Sequence, residues 1–221
     1  MRITSRSLGV LAAMVVVLLT STVTHGGGWC SITVNNMPEY FVAGKPVALS
    51  FVVRAHGVTP VDGMKTAVKA RMGSQKEIDF VSGPTGKTGE YKAVVTLPTP
   101  GEWVLRIDSG YMGIPFDLVP MKAIAAGASP PPPISEIERG ERLFVMSGCI
   151  GCHENEDVRS INLTKIGPTL TGKRYPTDML KAFLADPSKT WDRSRDSQMP
   201  NLHLTAQDID SIVAFLNRPR T

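Results

Sequence analysis

Three cysteines occur in the 221-residue chain, and two of them are separated by only two residues, with a histidine directly after the second. The stretch reads CIGCH, from Cys149 to His153. Thiols at this spacing can form a disulfide, bind zinc, act as a thiol–disulfide redox pair, or form thioethers with a covalently attached cofactor. The surrounding residues decide between these chemistries.

The first three chemistries fit the pair poorly. A disulfide across two residues closes a very small loop and adds little stability. A structural zinc site takes four ligands, and the third cysteine, Cys30, is far away in the chain. A thioredoxin-type pair belongs to a βαβ pattern, whereas here a predicted helix precedes Cys149.

The fourth chemistry fits the motif, because C-x-x-C-H is the attachment signature of haem c. Each thiol would add across one haem vinyl group, and the imidazole of the next residue would lie over the iron. We therefore predict one covalent haem c, held by Cys149, Cys152 and His153. Gly148 and Gly151 are expected to allow close approach of the backbone.

Helical periodicity surrounds the motif. Apolar residues recur at helical spacing over residues 134–147, 176–186 and 205–217, which predicts three helices. Thr177 is the predicted N-cap of the second helix. Thr205, with Asp208 three residues later, resembles a capping box at the start of the third.

Residues 134–217 resemble a class I (mitochondrial-type) cytochrome c domain. Gly140 and Phe144 match the positions where the first helix of that family crosses its last, and the AFL stretch at 214–216 matches the other side of the crossing. The stretch IGPTLTG at 166–172 resembles the family's loop whose proline packs against the proximal histidine. QMP at 198–200 resembles its distal loop, and DP at 186–187 also falls where the family often has it.

The resemblance implies an all-α cytochrome c domain over 134–221. Its iron ligands would be His153 and Met199, and the backbone carbonyl of Pro168 would orient the histidine ring. A thioether ligand raises the reduction potential, and two axial ligands close the iron to oxygen. Such a protein carries single electrons between respiratory or other redox partner proteins and is not an enzyme by itself. Weaker candidates are the reserve ligand His203 and three potential propionate contacts: Arg174, Tyr175 and Trp191.

Residues 27–124 are predicted to form an antiparallel β-sandwich of about seven short strands. Strand patterns occupy 47–54, 91–97 and 103–108, with turn sequences between them. A short helical segment is expected at 63–72. The region resembles the small immunoglobulin-like modules of periplasmic proteins, most closely over 51–63. It would dock the cytochrome on a partner or set its height above a membrane.

Some of these modules handle copper, and five residues of the β-sandwich have side chains that suit copper. They are Cys30, Met37, His56, Met64 and Met112. Their spacing is scattered. Residues 27–128 hold a single cysteine, which excludes the dinuclear copper centre with two cysteines found in some terminal oxidase subunits. A copper-handling protein, a gas sensor and the haem subunit of a larger oxidoreductase remain alternatives.

The proline run within residues 125–133 favours polyproline II, and we predict a semi-rigid linker there. Residues 1–26 are typical of a signal peptide or an uncleaved anchor, because Arg2 and Arg6 precede an uncharged apolar stretch at 7–24. We therefore expect a periplasmic or otherwise extracytoplasmic protein, with membrane association through 7–24. The net charge of +4 has no concentrated basic stripe, so nucleic acid is not an expected partner.

Overall fold

The computed structural model describes residues 28–112, 115–158, 166–189 and 199–219. In these ranges, ten strands make up a β-region that ends at Ile124, and three α-helices make up a helical region that begins at Glu136. The predicted fold class, a β-sandwich followed by an all-α domain, is confirmed. The predicted signal segment lies outside the described residues. No helix within the described ranges combines the length and apolar character needed to cross a bilayer.

The strands are β1 Cys30–Val34, β2 Phe41–Val42, β3 Val47–Ala55, β4 Thr59–Pro60, β5 Ala67–Arg71, β6 Ile78–Pro84, β7 Glu90–Val95, β8 Gly101–Asp108, β9 Pro115–Asp117 and β10 Met121–Ile124. Their hydrogen-bonded order is β1-β3-β7-β6-β5-β8-β10-β2, with β4 beside β3 and β9 beside β8. All pairings are antiparallel except that of β2 with β10, which is parallel.

Alternation of apolar and polar residues builds the core of the β-region. Every second residue of β3, β7 and β8 is buried, so the strands share one inward face. Their largest fully buried side chains are Phe51, Tyr91 and Trp103. Each such side chain stabilises the fold by roughly 1.5–3 kcal/mol through burial of apolar surface.

The helical segment expected at 63–72 is wrong, because residues 67–71 form strand β5. Val68 and Ala70 are buried while the residues between them are half-buried, which is the period of a strand. Strands β6 and β8 pair with β5 on its two sides. This pairing outweighs the helical preference of the alanine and lysine residues in the segment.

The helices are α1 Glu136–Met146, α2 Thr177–Ala185 and α3 Ala206–Leu216, and a 3₁₀ turn at Cys149–Gly151 follows α1. The predicted capping box of α3 is confirmed: Asp208 N–H donates to Thr205 Oγ1 at 3.1 Å, and Thr205 N–H donates to Asp208 Oδ2 at 3.3 Å. The predicted cap of α2 is wrong by one residue. Pro176 takes the N-cap position with extended backbone, so Thr177 is already helical.

Helices α1 and α3 cross at Gly140. A β-carbon built at this position would lie 1.9 Å from the carbonyl oxygen of Ser211 and 2.7 Å from Cβ of Phe215. One turn further along α1, the rings of Phe144 and Phe215 pack with centroids 5.6 Å apart. The crossing expected from Gly140, Phe144 and the AFL stretch is therefore present, and only glycine fits at its centre.

The β-region and the helical region contact each other directly. Strand β1 is buried on both faces, since even the outward-pointing Ser31 is only 7% exposed. The hydroxyl of Thr33 donates to the carbonyl of Ser147 at 3.2 Å, and Arg142 donates to the carbonyl of Glu39 at 2.9 Å. The segment 125–135 between the regions has no helix or strand and is largely exposed. It connects two packed bodies and does not hold them apart.

Candidate cofactor site

An apolar cavity of about 630 Å³ lies between the CIGCH turn, the three helices and the edge of the β-region. Cofactor pockets usually have volumes of roughly 300–1,000 Å³ and mostly apolar walls. All five residues predicted to hold or support the cofactor line this one cavity: Cys149, Cys152, His153, Pro168 and Met199. Residues that are far apart in the sequence thus converge on one space.

The CIGCH turn is shaped by the end of α1 and by its own backbone bonds. Gly148 adopts a left-handed conformation (φ 83°) that ends the helix and starts the 3₁₀ turn. The N–H groups of Cys152 and His153 both donate to the carbonyl of Cys149, at 3.1 and 2.8 Å. The turn brings Cys149 and Cys152 to the same cavity wall.

The ring of His153 is held by the loop that begins at Ile166. Its Nδ1 lies 3.0 Å from the carbonyl oxygen of Pro168, which can only accept a hydrogen bond. The hydrogen is therefore on Nδ1, and the lone pair of the neutral imidazole is on Nε2, the nitrogen suited to a metal. The contact expected between the Pro168 carbonyl and His153 is thus present in the structure.

Gly167 is a site residue that the sequence analysis did not single out. A β-carbon at this position would lie 2.5 Å from both Nδ1 and Cε1 of His153. The N–H of Gly167 also donates to the carbonyl of Cys152 at 2.9 Å. Its position directly before Pro168, within a loop already expected to face the ring, was the available signal.

Two further bonds attach this loop to the chain that follows the motif. Leu170 N–H donates to the carbonyl of Glu154 at 2.8 Å, and Thr169 donates to the carboxylate of the same residue at 3.2 Å. The loop therefore cannot move away from His153 without breaking both bonds. The ring orientation is built into the backbone.

Burial sets the protonation of the site. It raises the pKa of the Cys149 thiol to about 12, and it also raises the pKa of Cys152. Burial lowers the pKa of His153, with a smaller opposite effect from the hydrogen bond to Pro168. The thiols are therefore protonated at neutral pH. The imidazole is neutral, as metal ligation requires.

Of the remaining predicted site residues that the structure describes, Tyr175 lines the cavity, whereas Arg174 and His203 do not. Tyr175 lines the cavity, and its backbone exchanges two hydrogen bonds with the side chain of Asn217, at 3.0 and 2.9 Å. Arg174 is exposed and is not part of the cavity wall, and neither is the exposed His203. Trp191 lies outside the described residues. Asn217, which fixes Tyr175 to the end of α3, was missed by the sequence analysis.

The site fits haem c in its donor set and its walls. Two thiols, a neutral imidazole with Nε2 as the unprotonated nitrogen, and a thioether lie around an apolar space. No group of three or more His, Cys, Asp or Glu side chains in the described part of the chain is placed to hold a metal ion.

The five copper candidates of the β-region do not cluster in this way. Cys30 is buried in β1, where its thiol donates to Ser109 Oγ at 3.5 Å. Burial raises the pKa of this thiol, so it is protonated. Met112 is exposed, whereas Met37 and Met64 pack against the hydrophobic core. His56 contacts the ring of Trp29.

Comparison with known protein families finds a match to the helical region. The family model described as "Cytochrome c" matches residues 137–218. No curated protein matches the chain. Similar solved structures include the Lin-41 filamin domain (12% identity, TM-score 0.35, 45% of this chain and 97% of that one). Domains 4 and 5 of the S-layer protein SbsC are also similar (15% identity, TM-score 0.29, 45% of this chain and 54% of that one).

At TM-scores of 0.35 and 0.29, these two solved structures are not similar enough to establish a relationship to this chain. The immunoglobulin-like resemblance of the β-region therefore stays a prediction. The helical region is different, because its family match spans α1, the CIGCH turn, α2 and α3. The α1–α3 crossing at Gly140 and the His153–Pro168 contact are the features that the sequence resemblance implied. Residues 137–218 are a cytochrome c domain.

Proposed function

We propose that this chain is an exported cytochrome with one haem c that carries single electrons between redox partner proteins. The observation that carries the proposal is the cavity itself. It gathers both thiols of the CIGCH turn, the oriented ring of His153 and the thioether of Met199 around one apolar space. The match of residues 137–218 to cytochrome c supports the same conclusion.

Cys149 and Cys152 would hold the cofactor covalently. Their thiols would supply the two thioether bonds of an attached haem c. His153 and Met199 would bind its iron. The bound haem would supply a one-electron iron couple, and a thioether ligand favours its reduced form.

The protein's own residues keep the site prepared for electron transfer. The carbonyl of Pro168 accepts the Nδ1 hydrogen of His153 and fixes the ring plane. Gly167 lets the loop lie against that ring. The apolar walls from α1, α2 and α3 exclude water. If His153 and Met199 both bind the iron, no position on it would be open to a substrate, which favours a carrier over an enzyme.

The proposal includes export. Arg2 and Arg6, followed by the uncharged stretch 7–24, support a signal or an anchor at the N-terminus. The protein would then act in the periplasm or another extracytoplasmic space, with or without attachment to the membrane. The rest of the chain has no concentrated basic stripe, which argues against nucleic acid as a partner.

Absorption spectra of the purified holoprotein test the ligation. The wild type should show the weak far-red sulfur-to-iron band when oxidised and no change with carbon monoxide when reduced. Met199→Ala should abolish the band and admit carbon monoxide. Met112→Ala is the matched control, because Met112 is exposed in the β-region, and it should behave as the wild type.

The alternatives predict different results. Carbon monoxide binding by the reduced wild type would favour a gas sensor and overturn the carrier assignment. An unchanged spectrum in Met199→Ala would remove Met199 as ligand, and His203→Ala would then test the reserve candidate. Copper that remains bound at one equivalent per chain would favour copper handling.

A further inference from the structure

Four residues of the cavity wall belong to the β-region and not to the cytochrome c domain. They are Trp29, Ser31, His56 and Gly57. They come from the start of β1 and from the turn after β3, which lie next to each other because β1 pairs with β3. A second part of the chain thus forms one side of the cofactor site.

This wall lies close to the sulfur of Cys152. A β-carbon built on Gly57 would be 3.3 Å from Sγ of Cys152 and 2.7 Å from the indole ring of Trp29. Gly57 has a left-handed backbone (φ 73°) and is buried. No side chain fits at this position, so the turn at Gly57 lies against both the indole ring and the thiol.

Trp29 and His56 hold each other in place at this wall. The N–H of His56 donates to the carbonyl of Trp29 at 2.8 Å. The two rings meet edge to face, with centroids 6.2 Å apart and planes at 72°. Trp29 is half-buried and His56 is exposed, so the pair covers the cavity from inside to the protein surface.

The position of the wall is fixed by further contacts between the β-region and the helical region. A β-carbon on Gly148 would be 2.5 Å from the carbonyl oxygen of Ile32, which shows how closely the CIGCH turn lies against β1. Thr33 bonds to the carbonyl of Ser147, and Arg54 donates to the Thr33 hydroxyl at 2.7 Å. The β-region therefore cannot swing away without loss of these bonds.

We propose that Trp29, supported by His56 and Gly57, is a positioning residue of the cofactor site that shields the side next to Cys152 from water and from redox partners. This inference rests on the proposed function. A drier surrounding disfavours the oxidised iron, which carries the additional charge, and so raises the reduction potential. The β-region thereby tunes the electron carrier and restricts the directions from which a partner can approach.

The test uses full-length holoprotein with Trp29→Ala, Trp29→Phe and Val81→Ala. Val81 lies on β6 with 92% of its surface exposed, so its variant is a control for the β-region. Trp29→Ala should lower the midpoint potential and raise the rate of reduction by dithionite at least roughly twofold, because water and a small reductant then reach the site. Trp29→Phe should restore most of both values, and Val81→Ala should change neither.

His56→Gly provides a second variant if Trp29→Ala does not accumulate as holoprotein. His56 has a positive φ of 51°, a conformation that glycine adopts without strain. It should shift potential and rate in the same direction by a smaller amount. Unchanged potential and rate in Trp29→Ala, or in His56→Gly if Trp29→Ala does not accumulate, would overturn the shielding role. That result would leave the carrier assignment intact, provided that the wild type keeps its sulfur-to-iron band and excludes carbon monoxide.

Discussion

Replacement of Gly140 by alanine tests the helix crossing on which the cytochrome c domain is built. The new β-carbon would lie 1.9 Å from the Ser211 carbonyl oxygen, and real β-carbons essentially never approach other atoms closer than 3.0 Å. Helix α3 would thus have to move by about 1.1 Å, because the obstacle is backbone and cannot rotate away.

The magnitude follows from three contributions. Overpacking of a filled core costs about 1–3 kcal/mol. Separation of the helices weakens the contact between Phe144 and Phe215, which is worth about 0.5–1.5 kcal/mol beyond burial. Alanine returns about 0.5–1 kcal/mol through its better helix propensity. The net expectation is a loss of about 2 kcal/mol, or a decrease in Tm of about 4–8 °C for a chain of this size.

Thermal unfolding of the holoprotein, followed by circular dichroism at a helix-sensitive wavelength, measures this change. Gly83→Ala is the matched control, because a β-carbon there meets nothing within 4 Å and its backbone φ is not positive. Its Tm should stay within about 2 °C of the wild type, since surface substitutions rarely change stability by more than ~0.5 kcal/mol. A Gly140→Ala protein as stable as the wild type would show that the crossing is looser than the structure indicates.

Three further outcomes are expected. Gly167→Ala should displace the His153 ring and weaken or alter axial ligation, seen as a changed absorption spectrum, whereas a spectrum identical to the wild type would contradict the contact. Thr205→Ala should lower the free energy of unfolding by about 1 kcal/mol in urea titrations through loss of the capping box, and Thr205→Ser should retain most of it. Native protein should not react with iodoacetamide at the buried Cys30, but urea-unfolded protein should; rapid native labelling would refute its burial.

The cytochrome c domain was largely predictable because its signals are local. The CIGCH motif, the capping pair Thr205–Asp208 and the loop at Pro168 each lie within a few residues. Gly140 and Phe144 are separated by one helical turn and therefore share a face. A family resemblance linked these short signals into one domain, and the structure brings Phe144, the CIGCH motif and Pro168 to one cavity.

Features that depend on packing between distant segments were not predictable. Ser31 points to the outer face of β1, where alternation predicts solvent, yet the helical region buries it. The strand at Ala67–Arg71 is composed of residues that also suit a helix, and only its pairing with β6 and β8 decides its conformation. The participation of Trp29 and Gly57 in the cavity wall depends on the same docking of the two regions.

Gly148 and Gly151 lie where the CIGCH turn contacts the β-region, and neither position has room for a larger side chain. Gly148 must be left-handed to end α1, and at the same time a side chain there would strike the carbonyl of Ile32. A β-carbon on Gly151 would lie 3.2 Å from Cβ of Ser31. The residues that shape the CIGCH turn are thus the residues that let β1 lie against it. The β-region is part of the architecture of the site, and its removal would expose the Cys152 side of the cavity even if Cys149, Cys152, His153 and Met199 stayed in place.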